Sequence, residues 1–98
     1  MQHWKSEKSS EPASLFKAKC RSRSGAVGVD VLDLSTVGCM VGLFGSTFSP
    51  GDNVSIQLPG LRYMRAKIVW TDENSAGLQF EEPLYEPVLA HLLASQSA

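Results

Sequence analysis

This 98-residue chain lacks several features that mark specialised classes of protein. It has only two cysteines, Cys20 and Cys39, which are too few for a disulfide framework and lack the paired C-x-x-C spacing of a zinc site. No apolar run approaches the ~18 to 20 residues that cross a bilayer, and the polar first residues lack the apolar region of a signal peptide. We therefore expect both cysteines to be reduced core residues of a cytoplasmic protein that does not insert into membranes.

Charge and catalytic residue types are also sparse. Charged residues make up 19% of the chain and its net charge is -1, so it has no long-range attraction for DNA or RNA. The only histidines, His3 and His91, lie near no nucleophile pattern, and the acidic pair Glu81 and Glu82 precedes Pro83 as in a solvated surface turn. We predict no DNA binding, no catalysis and no metal or other cofactor.

The first 14 residues differ in composition from the rest of the chain. They are polar, and Trp4 is the only large aromatic residue among them, so we expect residues 1–14 to form a flexible arm. From residue 15 onward apolar residues recur regularly, and a chain of this length supports one hydrophobic core. Residues 15–98 are therefore predicted to form a single domain.

Residues 16–23 show the period-2 pattern of a half-buried strand, with Phe16, Ala18 and Cys20 on one face. The other face is a basic row with two interpretations. It is either a solvated face that protects a strand from aggregation, or an anionic contact surface for a partner protein, an RNA or a ligand phosphate. Its members are Lys17, Lys19, Arg21 and Arg23.

Five further apolar segments, separated by turn formers, predict strands. The clearest inward row runs from Met64 to Trp70, and we expect Trp70 to be a core residue. Gly51, after Pro50, suits a tight turn that needs a positive φ, and residues 71–76 suit a polar hairpin loop. The predicted strands are residues 27–34, 39–43, 53–58, 63–70 and 77–80.

The last segment changes from a strand period to a helical one after Pro87, a residue suited to a first helical turn. Six strands joined by short turns, with one terminal helix and no alternation of strands and helices, predict an antiparallel barrel that is closed or nearly closed. The fold class is therefore all-β with a short C-terminal helix. The apolar residues at helical spacing are Val88, Leu89, Leu92 and Leu93.

Residues 33–38 (DLSTVG) resemble the D/N-x-S-x-x-G motif of PilZ domains, the bacterial receptors for the second messenger cyclic di-GMP. Residues 49–54 (SPGDNV) resemble the turn that leads into a strand of that family. Residues 66–70 (AKIVW), with residues 77–80 (GLQF), resemble its hairpin. The similarity extends over about residues 16–93, and it implies a six-stranded PilZ-type split β-barrel that binds cyclic di-GMP.

The resemblance implies that Asp33 and Ser35 hydrogen-bond a guanine edge and that Gly38 lets the backbone approach the ligand. An ionised Asp accepts from guanine N1–H and N2–H₂, and a hydroxyl serves either partner. Glycine at this position fits a positive-φ turn or a close ligand approach. The alternative is that Asp33 and Ser35 only satisfy backbone groups of a turn.

The arm departs from the family, whose R-x-x-x-R motif grips the ligand phosphates and guanine, because residues 1–14 contain no arginine. Lys5 and Lys8 are the cations available there, and lysine holds a phosphate only as a point charge. Glu7 and Glu11 repel phosphates. Trp4 either stacks on a guanine or docks on the barrel.

Two functional hypotheses follow from the resemblance. The first is a cyclic di-GMP receptor that acts on a partner protein. The second is a degenerate PilZ domain that works through protein contacts alone. A general RNA-binding barrel is disfavoured because the basic row has no outward aromatic platform. The sequence leaves open the oligomeric state, the partner, and whether this domain belongs to a longer chain.

Overall fold

The computed structural model describes residues 14–42 and 48–95 and contains six antiparallel strands followed by one helix. It confirms the predicted fold class. The strand bounds match the periodic segments of the sequence closely, because alternation of apolar and polar residues is what gives a strand one buried face. The elements are β1 Phe16–Ser22, β2 Gly25–Leu34, β3 Gly38–Gly42, β4 Asn53–Gln57, β5 Met64–Thr71, β6 Ser75–Phe80 and α1 Glu86–Ser95.

The strands close into a barrel in the order β1-β2-β3-β6-β5-β4. All six neighbouring pairs are antiparallel, and the barrel closes where β1 pairs with β4 at Cys20 and Ile56. In this order β3 and β4 lie three strands apart in either direction. The walls centred on β3 and on β4 are therefore opposite sides of the barrel.

Apolar side chains fill the barrel interior, and no polar or charged residue in the described ranges is buried. Val31, Ile56 and Ile68 are fully buried. Cys20 and Cys39 are free and buried, as predicted. Burial disfavours the thiolate and raises the pKa of Cys20 to about 11. The pKa of Cys39 is raised to about 12, mainly by burial and to a smaller extent by the nearby Cys20 and Asp33.

The β5–β6 hairpin is tighter than the predicted loop of residues 71–76. Strand β5 includes Thr71 and β6 begins at Ser75, so three residues connect them. The Asp72 carboxylate holds this turn, because its Oδ1 accepts from the Asn74 and Ser75 backbone N–H groups at 3.1 Å and from the Ser75 hydroxyl at 3.0 Å. The predicted boundary was wrong because polar strand ends and loops have similar compositions.

Two β-bulges change which side chains face outward. One extra residue interrupts β2 between Val31 and Asp33, and another interrupts β5 between Ile68 and Trp70. Simple alternation places Trp70 inside with Ile68, but the bulge pairs Trp70 with Gly77 instead. Trp70 is half-buried and its indole covers Gly77. The prediction that Trp70 is a core residue was therefore wrong.

Helix α1 packs on the barrel through the predicted apolar positions. Leu92 is buried in the core, and Val88, Leu89 and Leu93 pack against it. The polypeptide before the helix is tied to the β2–β3 turn by hydrogen bonds from Phe80 N–H and Leu84 N–H. Phe80 N–H donates to the Val37 carbonyl at 2.8 Å, and Leu84 N–H donates to the Thr36 carbonyl at 2.7 Å.

In the described ranges, no helix has both the length and the apolar character needed to span a membrane.

Two predicted segments fall beyond the described residues. The arm, with Trp4, Lys5 and Lys8, lies almost wholly in residues 1–13, and Leu43 lies in residues 43–47. The division of the chain at residues 14 and 15 stays a prediction. Gly51, by contrast, has the positive φ expected of its turn, at 96°.

Candidate functional site

The turn between β2 and β3 carries the predicted site residue Ser35. The Ser35 backbone N–H donates to the Gly38 carbonyl at 2.9 Å and closes the turn. Its hydroxyl donates to the same carbonyl at 3.3 Å and accepts from the Val37 N–H at 3.2 Å. The hydroxyl therefore stabilises the turn, which is what the alternative interpretation of Ser35 expects.

Asp33 lies at the end of β2 with an exposed side chain. Its Oδ1 accepts from the Leu34 backbone N–H at 2.9 Å. Within residues 14–42 and 48–95, Oδ2 makes no hydrogen bond or ion pair. A carboxylate oxygen exposed to solvent can accept from the N–H groups of a ligand.

Gly38 begins β3 and pairs with Gln79 of β6. Gly38 does not have a positive φ, so the explanation of this glycine by turn geometry was wrong. A Cβ at this position would collide with the carbonyl oxygen of Leu78 and lie 3.3 Å from the Gln79 Cα. The close approach of the β6 backbone is therefore one reason that the position requires glycine.

Asp33 and Trp70 lie in one row on the outside of the barrel. The register pairs Asp33 with Met40, Met40 with Gly77, and Gly77 with Trp70. Neighbouring strands are ~4.8 Å apart, so the two end positions are separated by ~14 Å across four strands. This row combines a free carboxylate oxygen at one end with an indole at the other, and we name it the β3 face.

Sequence reasoning predicted Trp70 as a core residue and gave a position on the ligand rim only as the lesser alternative. Periodicity predicted an inward side chain, and only the bulge before Trp70 turns it outward. Gly77 held the signal, since a glycine in a strand indicates the close approach of another group. Any side chain at Gly77 would collide with the indole of Trp70.

The predicted basic row lies away from the β2–β3 turn, along the outside of β1. Lys17 pairs with Asp30 of β2 at 3.1 Å. The Arg21 guanidinium carbon lies 3.9 Å from the centre of the Tyr63 ring. Lys19 and Arg23 form no ion pair with any residue in the described ranges. The structure thus does not bring the basic row together with Asp33 and Ser35.

Titratable ligands are not clustered in the described part of the chain. No group of three or more His, Cys, Asp or Glu side chains there is arranged to hold a metal ion. The polar groups of the β3 face are instead a carboxylate and a hydroxyl beside an indole ring. These groups suit hydrogen bonding and stacking with a planar organic ligand.

A closed six-stranded barrel with an exposed polar turn between β2 and β3 defines the fold class as a small antiparallel β-barrel. The model of the PilZ domain family matches residues 8–95, and the chain belongs to this family. The family consists of binding and adaptor domains, and membership supports a signalling module of the cyclic di-GMP-binding type. Comparison with curated proteins and with solved structures found no match.

Proposed function

We propose that this chain is a bacterial, cytoplasmic signalling module that binds cyclic di-GMP on the β3 face and acts on a partner protein. One observation carries the proposal: Asp33 and Trp70 lie at the two ends of a single outward row. Between them, Gly77 is covered by the indole of Trp70 and Met40 is a flexible side chain that can adapt to a ligand.

The chemistry of the row suits a ligand that carries two guanines. The free Oδ2 of Asp33 accepts from N1–H and N2–H₂ on one guanine edge. The indole of Trp70 offers a flat surface on which a second base stacks. The indole lies over Gly77, two strand steps or ~10 Å from the position of Asp33, and this separation favours a dinucleotide over a single nucleotide.

Ser35 and Gly38 complete the proposed site. The hydroxyl of Ser35 reaches the Gly38 carbonyl at 3.3 Å, longer than the 2.5–3.0 Å usual for O–H···O bonds. This weakly held hydroxyl can rotate toward a guanine acceptor. The small Gly38 lets the ligand approach the turn.

The arm supplies the phosphate contacts in this proposal. Lys5 and Lys8 neutralise the ligand phosphates as point charges, and Trp4 stacks on an exposed guanine. Lysine does not reproduce the planar fork of arginine. We therefore expect weaker binding than an arginine-bearing arm provides.

Titration calorimetry of the full chain with cyclic di-GMP tests the proposal. Asp33→Ala should reduce affinity at least about tenfold, because the loss of a charged hydrogen-bond acceptor costs about 1.5–3 kcal/mol. Glu73→Ala is the matched control, since Glu73 is also an exposed acid but lies in the β5–β6 turn. Equal affinities of the two variants, or no heat with the unmodified chain, would contradict cyclic di-GMP binding on this face.

A second candidate is a degenerate PilZ domain that binds no nucleotide and works through protein contacts. It is favoured by the arginine-free arm and by the use of the Ser35 hydroxyl within its own turn. Under this hypothesis cyclic di-GMP produces no heat, and Asp33→Ala and Ser35→Ala leave capture of the partner unchanged. Loss of the partner in both variants would count against it.

A further inference from the structure

Positive charge is concentrated on one side of the barrel. Every lysine and arginine in the described ranges lies on or beside β1 and β5, the two neighbours of β4. Strand β4 itself has no charged residue, and its outward side chains are neutral and polar. The wall therefore has two basic rims with an uncharged strand between them. The cations are Lys17, Lys19, Arg21, Arg23, Arg62, Arg65 and Lys67.

An open groove of about 810 Å³ crosses this wall and continues onto β6, where Gln79, Phe80 and Glu81 line it. The register pairs Arg21 with Ser55, and Ser55 with Arg65, so that one arginine from each rim lies beside the same β4 residue. Lys67 pairs with Asn53 one step further along, and Arg23 follows Arg21 on the other rim. Arg21, Arg23, Arg65 and Lys67 all line the groove, and Glu81 is the one acidic residue among its described lining residues.

The cations of this groove are weakly paired within the protein. Arg23 and Lys67 form no ion pair with a described residue. Arg65 lies 3.9 Å from Glu81, but both side chains are mostly exposed, and such surface pairs contribute little. Arg21 stacks on Tyr63, which orients the guanidinium and leaves its charge available to an anion.

We propose that this β4 groove binds an extended acidic segment of the partner protein, and this rests on the proposed action on a partner. Alternate residues along each rim are ~6.6 Å apart, which equals the spacing of alternate side chains in an extended peptide. The two rims lie two strand steps apart, ~10 Å. An extended segment lying along β4 can therefore place carboxylates against both rims.

A protein segment fits this groove better than a nucleic acid. Phe80 is the aromatic residue in the described lining of the groove, and it is buried, so this lining offers no exposed ring on which a base could stack. Strands β5 and β6 contribute to both surfaces, but the groove is lined by residues 65–67 and 79–81 and the β3 face by Trp70 and Gly77, so the acidic segment and the cyclic dinucleotide contact different residues.

Amide chemical shifts of the ¹⁵N-labelled full chain, titrated with a hexaglutamate peptide, test this inference. We expect shifts on β1, β4 and β5. The double variant R23Q/R65Q, which removes one cation from each rim, should weaken peptide binding about tenfold through the loss of two charge contacts. The matched variant K17Q/R62Q removes the same charge outside the groove and should change affinity less than about twofold.

Three outcomes would overturn the inference: peptide shifts that avoid β4 and its neighbours, equal weakening by the two double variants, or tighter binding of hexathymidylate than of the peptide. Unchanged shift dispersion in both variants verifies that they fold. Cyclic di-GMP is titrated separately and followed at residues 33–38. Failure of nucleotide binding then shows at the β3 face, and failure of the inference shows at the β4 groove.

Discussion

The β3 face and the β4 groove both include parts of β5 and β6, but they use different ends of these strands and are built in different ways. The β4 groove is lined by parts of β1, β4, β5 and β6 that contain no bulge, and their outward residues follow simple alternation. The β3 face is flanked by two bulges, and Asp33 and Trp70 each come directly after one of them. Bulges re-aim side chains without changing the interior. The same core therefore supports two surfaces. Regular strand segments carry the basic side chains of the groove, and two bulges direct Asp33 and Trp70 outward on the β3 face.

The largest effect expected at neutral pH is at Gly38, the first residue of β3. Gly38→Ala should lower the free energy of unfolding by about 3 kcal/mol, because its Cβ would collide with the backbone of β6 and neither strand can yield easily. Gly28→Ala is the control, since a Cβ there only touches the Ala18 carbonyl oxygen at 4.0 Å. Urea unfolding measures both. Similar losses in the two variants would show that the close contact at Gly38 is unimportant.

The two buried thiols make the stability of the protein depend on pH, one from β3 and the other from β1. Cys39 lies on β3 and Cys20 lies on β1, and burial raises both folded-state pKa values above the ordinary 9.0. The unfolded chain therefore loses thiol protons first, so stability is full below pH 9 and falls as pH rises, by about 1.4 kcal/mol per pH unit for each thiol. The loss from Cys20 should end near pH 11 and that from Cys39 near pH 12.

Urea unfolding of the unmodified chain, Cys20→Ala and Cys39→Ala between pH 8 and 12 measures this loss. Each variant should show a shallower decline above pH 9 than the unmodified chain, because one titrating thiol is absent. All residues other than the substituted thiol are the same in the three proteins, so their contributions cancel in the differences. Parallel curves for the three proteins would exclude a contribution from the thiols.

The smallest expected effect separates ligand binding on the two walls. Trp70→Ala should weaken cyclic di-GMP binding roughly tenfold, since stacking of a base on an aromatic contributes about 1–3 kcal/mol. Tyr63→Ala should leave that affinity unchanged and weaken hexaglutamate binding, because Arg21 loses the ring that orients it. Calorimetry of each variant with cyclic di-GMP and with hexaglutamate measures the two changes in affinity. Loss of both ligands in either variant would mean that the walls are not independent.

Periodicity was sufficient to predict the strands and the core, since Ala18, Cys20, Ile56 and Ile68 occupy inward positions in both the pattern and the structure. It failed at Trp70, because a bulge arises from pairing between strands and leaves little local trace. The basic row on β1 was visible in the sequence. The sequence did not show that this basic row lies beside the cations of β5, with β4 between them, because that arrangement depends on the long-range pairing that closes the barrel.

The candidate site was predictable in part. The turn of residues 33–38 was recognised from its composition, but the hydrogen bonds of Ser35 and the collision that excludes a side chain at Gly38 depend on neighbouring backbone. The binding roles of Asp33, Ser35 and Gly38 stay predictions, as do those of Trp4, Lys5 and Lys8.

Closure of the barrel also restricts how this protein can change. Each of the six strands is paired on both sides along at least part of its length, so a partner finds little free backbone on which to add a strand. Recognition then depends on outward side chains, which contribute little to the core. Substitutions on either wall can accordingly alter specificity with small effects on stability, and the two specificities can evolve separately.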